Sequence, residues 1–204
     1  MSGLNVKISK GNSKMGEVMS VSLPPILSCG KALPCFKGCY ADKLSRLRPV
    51  VKAAWANNWK MVMTDRDRYM AQIHVVIAVG KPPLFRWHVA GDIPDFAYLA
   101  DLRLIATWTP DTNHLVFTKK YDLVRLLSEK HMDLPENLSI VLSMWPGLEI
   151  PGGLTRRYPK AWMRDKRNPD NRIPEDAKEC DGGCETCGLC WKMKDGESVV
   201  FTKH

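Results

Sequence analysis

Nowhere in the 204 residues does an apolar run approach the roughly 20 needed to cross a bilayer. The longest, Ile73 to Val79, runs into Gly80-Lys81-Pro82-Pro83 and reads as a core segment, so no membrane partner is expected. The sequence opens Met1-Ser2-Gly3-Leu4-Asn5-Val6, without the basic stretch and apolar run of a secretion signal. Internal repeats and low-complexity tracts are also missing, which excludes solenoids and disordered tails. Cysteine is scarce and its count, seven, is odd. An odd count argues against the disulfide framework of a small secreted domain and favours a reducing compartment.

What cysteine there is falls into two groups. Cys180, Cys184, Cys187 and Cys190 are spaced C-x3-C-x2-C-x2-C, and Cys29, Cys35 and Cys39 are spaced C-x5-C-x3-C. The first group lies within a single loop, whereas most zinc ribbons separate two knuckles widely. Its gaps are those of bacterial ferredoxin runs in reverse order, short enough to wrap a [4Fe-4S] cubane, with Gly182, Gly183 and Gly188 to let the backbone turn. Zinc and free redox thiols are the alternatives. The second group has no fourth cysteine and no histidine beside it. Three thiolates would leave one iron open to a small molecule that binds through an amine and a carboxylate. Zinc completed by water, His74 or His88 is the alternative there, as is a purely structural cluster.

A hydrophobic fraction of 45% with 25% charged residues suits one globular unit with one core. The formal charge of +8 would ordinarily point to an anionic partner. Two thiolate-held clusters would lower it to about +5. Basic residues concentrate at Lys43, Arg46, Arg48 and Lys52, and again at Arg156, Arg157, Lys160, Arg164, Lys166 and Arg167. The second run, threaded with Tyr158 and Trp162, is a candidate nucleic-acid contact; the plainer reading is a solvated linker.

Apolar strands alternate with helical stretches through the middle of the chain. Strand character at Leu84 to Val89 precedes a helix from Phe96 to Ala106 capped by Asp95. His114 to Lys119 precedes a helix from Tyr121 to Lys130, and Leu138 to Met144 follows as another strand. Helices are also expected over Pro49 to Lys60 and Asp65 to Val79, the β-branched end of the latter reading equally as strand. A first strand, Val18 to Leu23, feeds the Cys29 loop. The pattern predicts an α/β fold, a partial (β/α) barrel or open parallel sheet, spanning residues 1–150. Residues 151–204 then form a basic linker and a cysteine-rich C-terminal extension packed on that core. Chemistry in such sheets gathers at the C-terminal strand ends. Gly91, Asp92, Lys119 and Ser143 fall there and are the candidate cofactor-binding residues. Arg86 and His88 share one side of their strand by period-two alternation.

Gly11-Asn12-Ser13-Lys14-Met15-Gly16, the loop ending Cys39-Tyr40-Ala41, the run from Phe85 to Asp92 with its Arg-x-His-x-x-Gly-Asp, Phe117-Thr118-Lys119 and the cysteine-rich tail together resemble a phage-encoded family, gene product eighty-eight. The resemblance spans nearly the whole chain. It implies phage origin and action in the bacterial host cytoplasm, and no particular activity. More distantly the chain is similar to radical S-adenosylmethionine proteins with a partial barrel and an auxiliary cluster. That similarity implies S-adenosylmethionine at the cluster of Cys29, Cys35 and Cys39, an auxiliary cluster on the other four cysteines, and a reductant or host protein as partner. A metal-stabilised binding module and an electron carrier are the other functions the sequence allows.

Overall fold

The computed structural model describes residues 5–30, 33–164 and 173–202. Lys166 and Arg167 of the basic run lie outside the described residues.

Strand β1 (Ile8–Ser9) is an antiparallel edge on β2 (Met19–Val21). From there the sheet runs β3 (Leu84–Trp87), β4 (Asn113–Thr118), β5 (Leu138–Ser143), β6 (Lys160–Arg164), β8 (Ser198–Thr202) and β7 (Lys178–Glu179), all pairs parallel. The order is sequential from β2 to β6, with no switch point, and the sheet stays open. Of the two architectures expected, the structure adopts the open sheet; the last three strands, from beyond residue 150, complete it.

The long connections are helical. A 3-10 turn over Pro34–Gly38 leads into α1 (Tyr40–Leu47), α2 (Pro49–Thr64) and α3 (Arg66–Gly80). Pro49 opens α2 at the one place where a missing N–H costs nothing, and the Asp65 carboxylate caps α3 by accepting from the Arg68 N–H at 3.2 Å. The β-branched end of α3 is helix, because Ile73 and Ile77, one turn apart, are both fully buried. Helix α4 (Phe96–Trp108) starts at the expected cap: Asp95 accepts from the Tyr98 N–H at 2.9 Å and holds Arg66 through two bonds of 2.9 and 2.6 Å. Its Leu99, Leu102, Ile105 and Ala106 form a buried stripe, each fully buried leucine contributing about 1.5–3 kcal/mol. Helix α5 (Tyr121–Glu129) and the short α6 (Leu154–Arg157) complete this layer.

Strand alternation assigns the two faces. Phe85, Trp87, Val116, Ile140 and Leu142 meet α2 through α6 in one core. On the other face Leu115, Val141, Ala161 and Val199 meet Met15, Val18, Trp191 and Met193. Helices therefore cover one face, and the loop around Met15 together with α7 (Cys184–Cys187) and α8 (Leu189–Lys192) covers the other. The Trp191 indole N–H donates to the Phe85 carbonyl at 3.1 Å and ties the cysteine-rich segment to the sheet. Among the described residues no helix is long and apolar enough to cross a membrane.

Candidate functional site: two cysteine groups on one edge and one face of the sheet

Cys29 lies just beyond β2, at the C-terminal edge of the parallel strands. Its loop is turned by Ile26 and Gly30 at positive φ and closed by the Gly30 N–H donating to the Ile26 carbonyl at 2.9 Å. Ser28 anchors it: the hydroxyl donates to the Pro24 carbonyl at 2.8 Å and accepts from the Asp92 N–H at 3.1 Å. A Cβ on Gly91 would stand 2.6 Å from Ser28 Oγ and 2.7 Å from the Leu23 carbonyl oxygen, with φ at +83°. Only glycine lets the β3 strand end come that close to the cysteine loop.

Asp92 is buried and its carboxylate is occupied. Oδ1 accepts from Thr118 Oγ1 at 2.6 Å and from the Ile93 N–H at 2.8 Å; Oδ2 accepts from the Lys119 N–H at 2.9 Å. Burial pushes the Asp92 carboxyl up, opposed by these bonds and by the Lys119 charge. Asp92 thus locks the ends of β3 and β4 together beneath the cysteine loop. The Lys119 ammonium extends over the Trp145 ring, 5.4 Å from its centre. Ser143 enters through its carbonyl, which accepts from the Tyr121 hydroxyl.

These groups share one electrostatic environment. Burial first, then the Asp92 charge, pushes the Cys29 thiol up to about 11. Burial also raises Cys35, which Lys119 opposes and Cys39 reinforces. Burial raises the Tyr121 phenol, with added repulsion from Asp92 and Cys35. The candidates Gly91, Asp92, Lys119 and Ser143 and the thiols of Cys29, Cys35 and Cys39 are therefore neighbours, as their strand-end positions imply. The Cys29 and Cys35 thiols, raised in this way, are neutral at pH 7, and a bound cation would favour their deprotonation.

The second group lies on the face opposite the helices. The Cys180 N–H donates to the Val200 carbonyl at 2.9 Å, so this thiol leaves the end of β7, while Cys184, Cys187 and Cys190 come from α7 and α8. Gly182 and Gly188 sit at positive φ where the backbone doubles back. All four cysteines line one concavity of about 390 Å³, part of it open solvent, together with Arg86, Phe117 and Asp181. Burial pushes Cys190 up to about 12 and raises Cys184; Arg86 opposes both shifts and the neighbouring thiols reinforce them. The loop carrying the Gly11–Gly16 run clamps this segment: Asn12 Oδ1 accepts from the Lys14 and Met15 N–H groups, and Glu185 Oε2 accepts from the Glu17 N–H at 3.0 Å.

All seven cysteines are free thiols. Among the described residues no three His, Cys, Asp or Glu side chains converge on one point tightly enough to hold a single metal ion.

One expectation is corrected. Arg86 and His88 do not share a face: His88 adopts φ of 55°, which breaks the alternation just past β3. Arg86 lines the four-cysteine concavity, whereas His88 Nε2 pairs with the Tyr98 hydroxyl at 2.9 Å on the helix side. His74 packs against Trp108 on the helices, the two rings tilted by 54°. Over its described part the basic run is ordered: Lys160 bonds the Thr155 carbonyl, Arg164 pairs with Glu179, Tyr158 is buried in the helix-side core and the Trp162 indole donates to Ser198 Oγ. Arg156 and Arg157 remain exposed on α6.

Ser28, Tyr40, Thr118 and Tyr121 join the site by tertiary contact. The Tyr40 hydroxyl donates to the Val89 carbonyl, and burial there pushes the phenol up although 64% of the residue is exposed. Arg86 opposes that shift while Cys39 and Cys29 add to it, so Tyr40 feels the charges of both the N-terminal thiols and Arg86.

A mostly parallel sheet with its main helices on one face, a three-cysteine loop at the C-terminal strand edge and four cysteines packed on the other face defines the class of protein. The chain belongs to the Gene product 88 family, whose model matches residues 4–146. That match takes in Cys29, Cys35, Cys39 and the strand-end residues and stops before the cysteine-rich tail. The Gene 88 protein of Mycobacterium phage L5 is 26% identical over 97% of this chain and 92% of its own length. The Gene 88 protein of Mycobacterium phage D29 is 25% identical over the same shares. No solved structure matches.

Proposed function

We propose that this phage-family protein carries two iron-sulfur sites: a closed one on Cys180, Cys184, Cys187 and Cys190, and one on Cys29, Cys35 and Cys39 with an iron open to a small-molecule ligand such as S-adenosylmethionine. The observation that carries the reading is that four cysteines and the cation Arg86 line one concavity packed on the sheet face. A [4Fe-4S] group spreads its thiolates over separate irons, so it suits cysteines that line one concavity without converging on a point. When bound, such a group supplies one-electron chemistry.

The chain's own residues divide the remaining work. Ser28, Gly91 and Asp92 hold the Cys29 loop against the strand ends. Lys119, on that edge, offers a point charge to a carboxylate. Tyr40 and Trp145 flank the edge with aromatic surface. The sequential parallel order from β2 to β6, with helices on one face and the first cysteine group after the first parallel strand, supports kinship in architecture with radical S-adenosylmethionine enzymes; the longer C-x5-C-x3-C gaps and the open sheet distinguish this chain from them.

Anaerobic purification with iron, acid-labile sulfide and zinc counted per chain tests the proposal. About eight irons with matching sulfide are expected for two cubanes, and Cys39→Ala should leave about four. Zinc without sulfide, or full iron retention in Cys39→Ala, would overturn it. With iron confirmed, reductive consumption of S-adenosylmethionine separates an enzyme from an electron carrier.

A further inference from the structure

Arg86 has an arrangement that the architecture alone does not require. It stands in a central region of the sheet, one position from the fully buried Phe85 and Trp87, yet projects to the opposite face. Its Nη1 rests against the Met15 sulfur at 3.4 Å and its guanidinium lies over the Phe117 ring, 4.8 Å from the centre. Both contacts are soft and apolar. The Nε atom is buried without a hydrogen-bond partner, and Arg86 makes no ion pair among the described residues. Asp181, which lines the same concavity, instead accepts from the Gly183 N–H at 3.1 Å. Arg86 is half-buried, and a cation whose Nε is shut off from water with no carboxylate beside it carries a desolvation cost that such groups normally offset by pairing. Met15, whose sulfur Arg86 touches, comes from the loop that also clamps α7, so the fold holds the cation and the four cysteines in one frame.

We infer that Arg86 is the built-in counter-charge of the four-cysteine site, a positioning residue that balances an anionic tetrathiolate group and sets its reduction potential. The inference rests on the iron-sulfur reading. Four thiolates around a [4Fe-4S] core carry a net negative charge that grows on reduction, so a cation at the rim favours the reduced form. The same arrangement is unfavourable while the thiols are neutral. Removing the charge therefore has opposite effects on the loaded and the iron-free protein, which a packing role would not produce.

The test is redox titration of the tail site in a Cys39→Ala background, where this site alone holds iron. Arg86→Met, which keeps length and apolar packing, should lower the reduced-to-oxidised ratio at fixed ambient potential about tenfold, a fall of about 59 mV for one electron. Arg86→Lys should restore most of it. In iron-free protein Arg86→Met should raise Tm. An unchanged potential with iron retained, or a lowered Tm in the iron-free form, overturns the inference while leaving the cluster intact. Absence of iron in the unmutated protein overturns the iron-sulfur reading itself, and the Tm comparison then decides whether Arg86 is an uncompensated cation. Should Arg86→Met fail to fold, Arg86→Gln serves in both measurements.

Discussion

Single residues on the helix side carry a cost that appears at low pH. His88 meets only the Tyr98 hydroxyl, its Nδ1 is buried without a partner, and burial lowers its pKa to about 3. His114, between Trp87 and Thr109, is lowered by burial to about 4. Both are neutral in the folded protein, whereas the unfolded chain takes up their protons near pH 6.5. Stability is therefore fully present above pH 6.5 and falls as the pH drops toward these folded values. Each histidine contributes a slope of up to about 1.4 kcal/mol per pH unit. Urea unfolding at pH 7 and pH 5 measures this, and His88→Gln should flatten the slope by about one proton. An unaltered slope would mean that His88 is protonated in the fold.

Between elements, the loop from Asn12 to Glu17 holds α7 in place. Gly16 sits at φ of +69°, and a Cβ there would fall 2.0 Å from Glu185 Oε2 and 2.7 Å from Glu185 Cβ. Gly16→Ala adds left-handed strain to that collision, and a loss of about 1–3 kcal/mol is expected in denaturant unfolding. Amide exchange should quicken through residues 184–192 before it does so in α4. Uniform quickening would show that the clamp supports the whole fold. The sequence made α2, α4 and α5 legible because the Pro49 start of α2, the Asp95 cap of α4 and the apolar spacing of α5 are local signals. It left the end of α3 ambiguous, since β-branched residues suit a buried helix and a buried strand alike, and burial against the sheet decides between them. Alternation beyond β3 misplaced His88 because one left-handed residue reverses the side on which a chain continues.

At the scale of the whole molecule, the sheet face away from the main helices is covered by the Met15 loop and the short helices α7 and α8. Trp191 and Met193 pack this cysteine-rich tail, and the proposed cluster would tie its four thiols together. Removing iron with an anaerobic chelator should lower Tm, because a ligand bound only by the folded state stabilises it. Limited proteolysis should then cut within residues 180–192 first. An unaltered Tm would leave packing as the sole support of the tail. The sequence by itself determined the α/β class, the grouping of the cysteines into three and four, and the strand-end placement of Gly91, Asp92, Lys119 and Ser143, all fixed by local spacing and periodicity. Only the tertiary structure decided that β6, β7 and β8 complete the same sheet, that Asp92 spends its carboxylate on locking strands, and that Arg86 faces the four thiols. Those outcomes depend on which distant segments share a face, and hydrogen bonds that span from 26 residues, as between Asp92 and Thr118, to 106, as between Phe85 and Trp191, leave no mark in any short window of sequence.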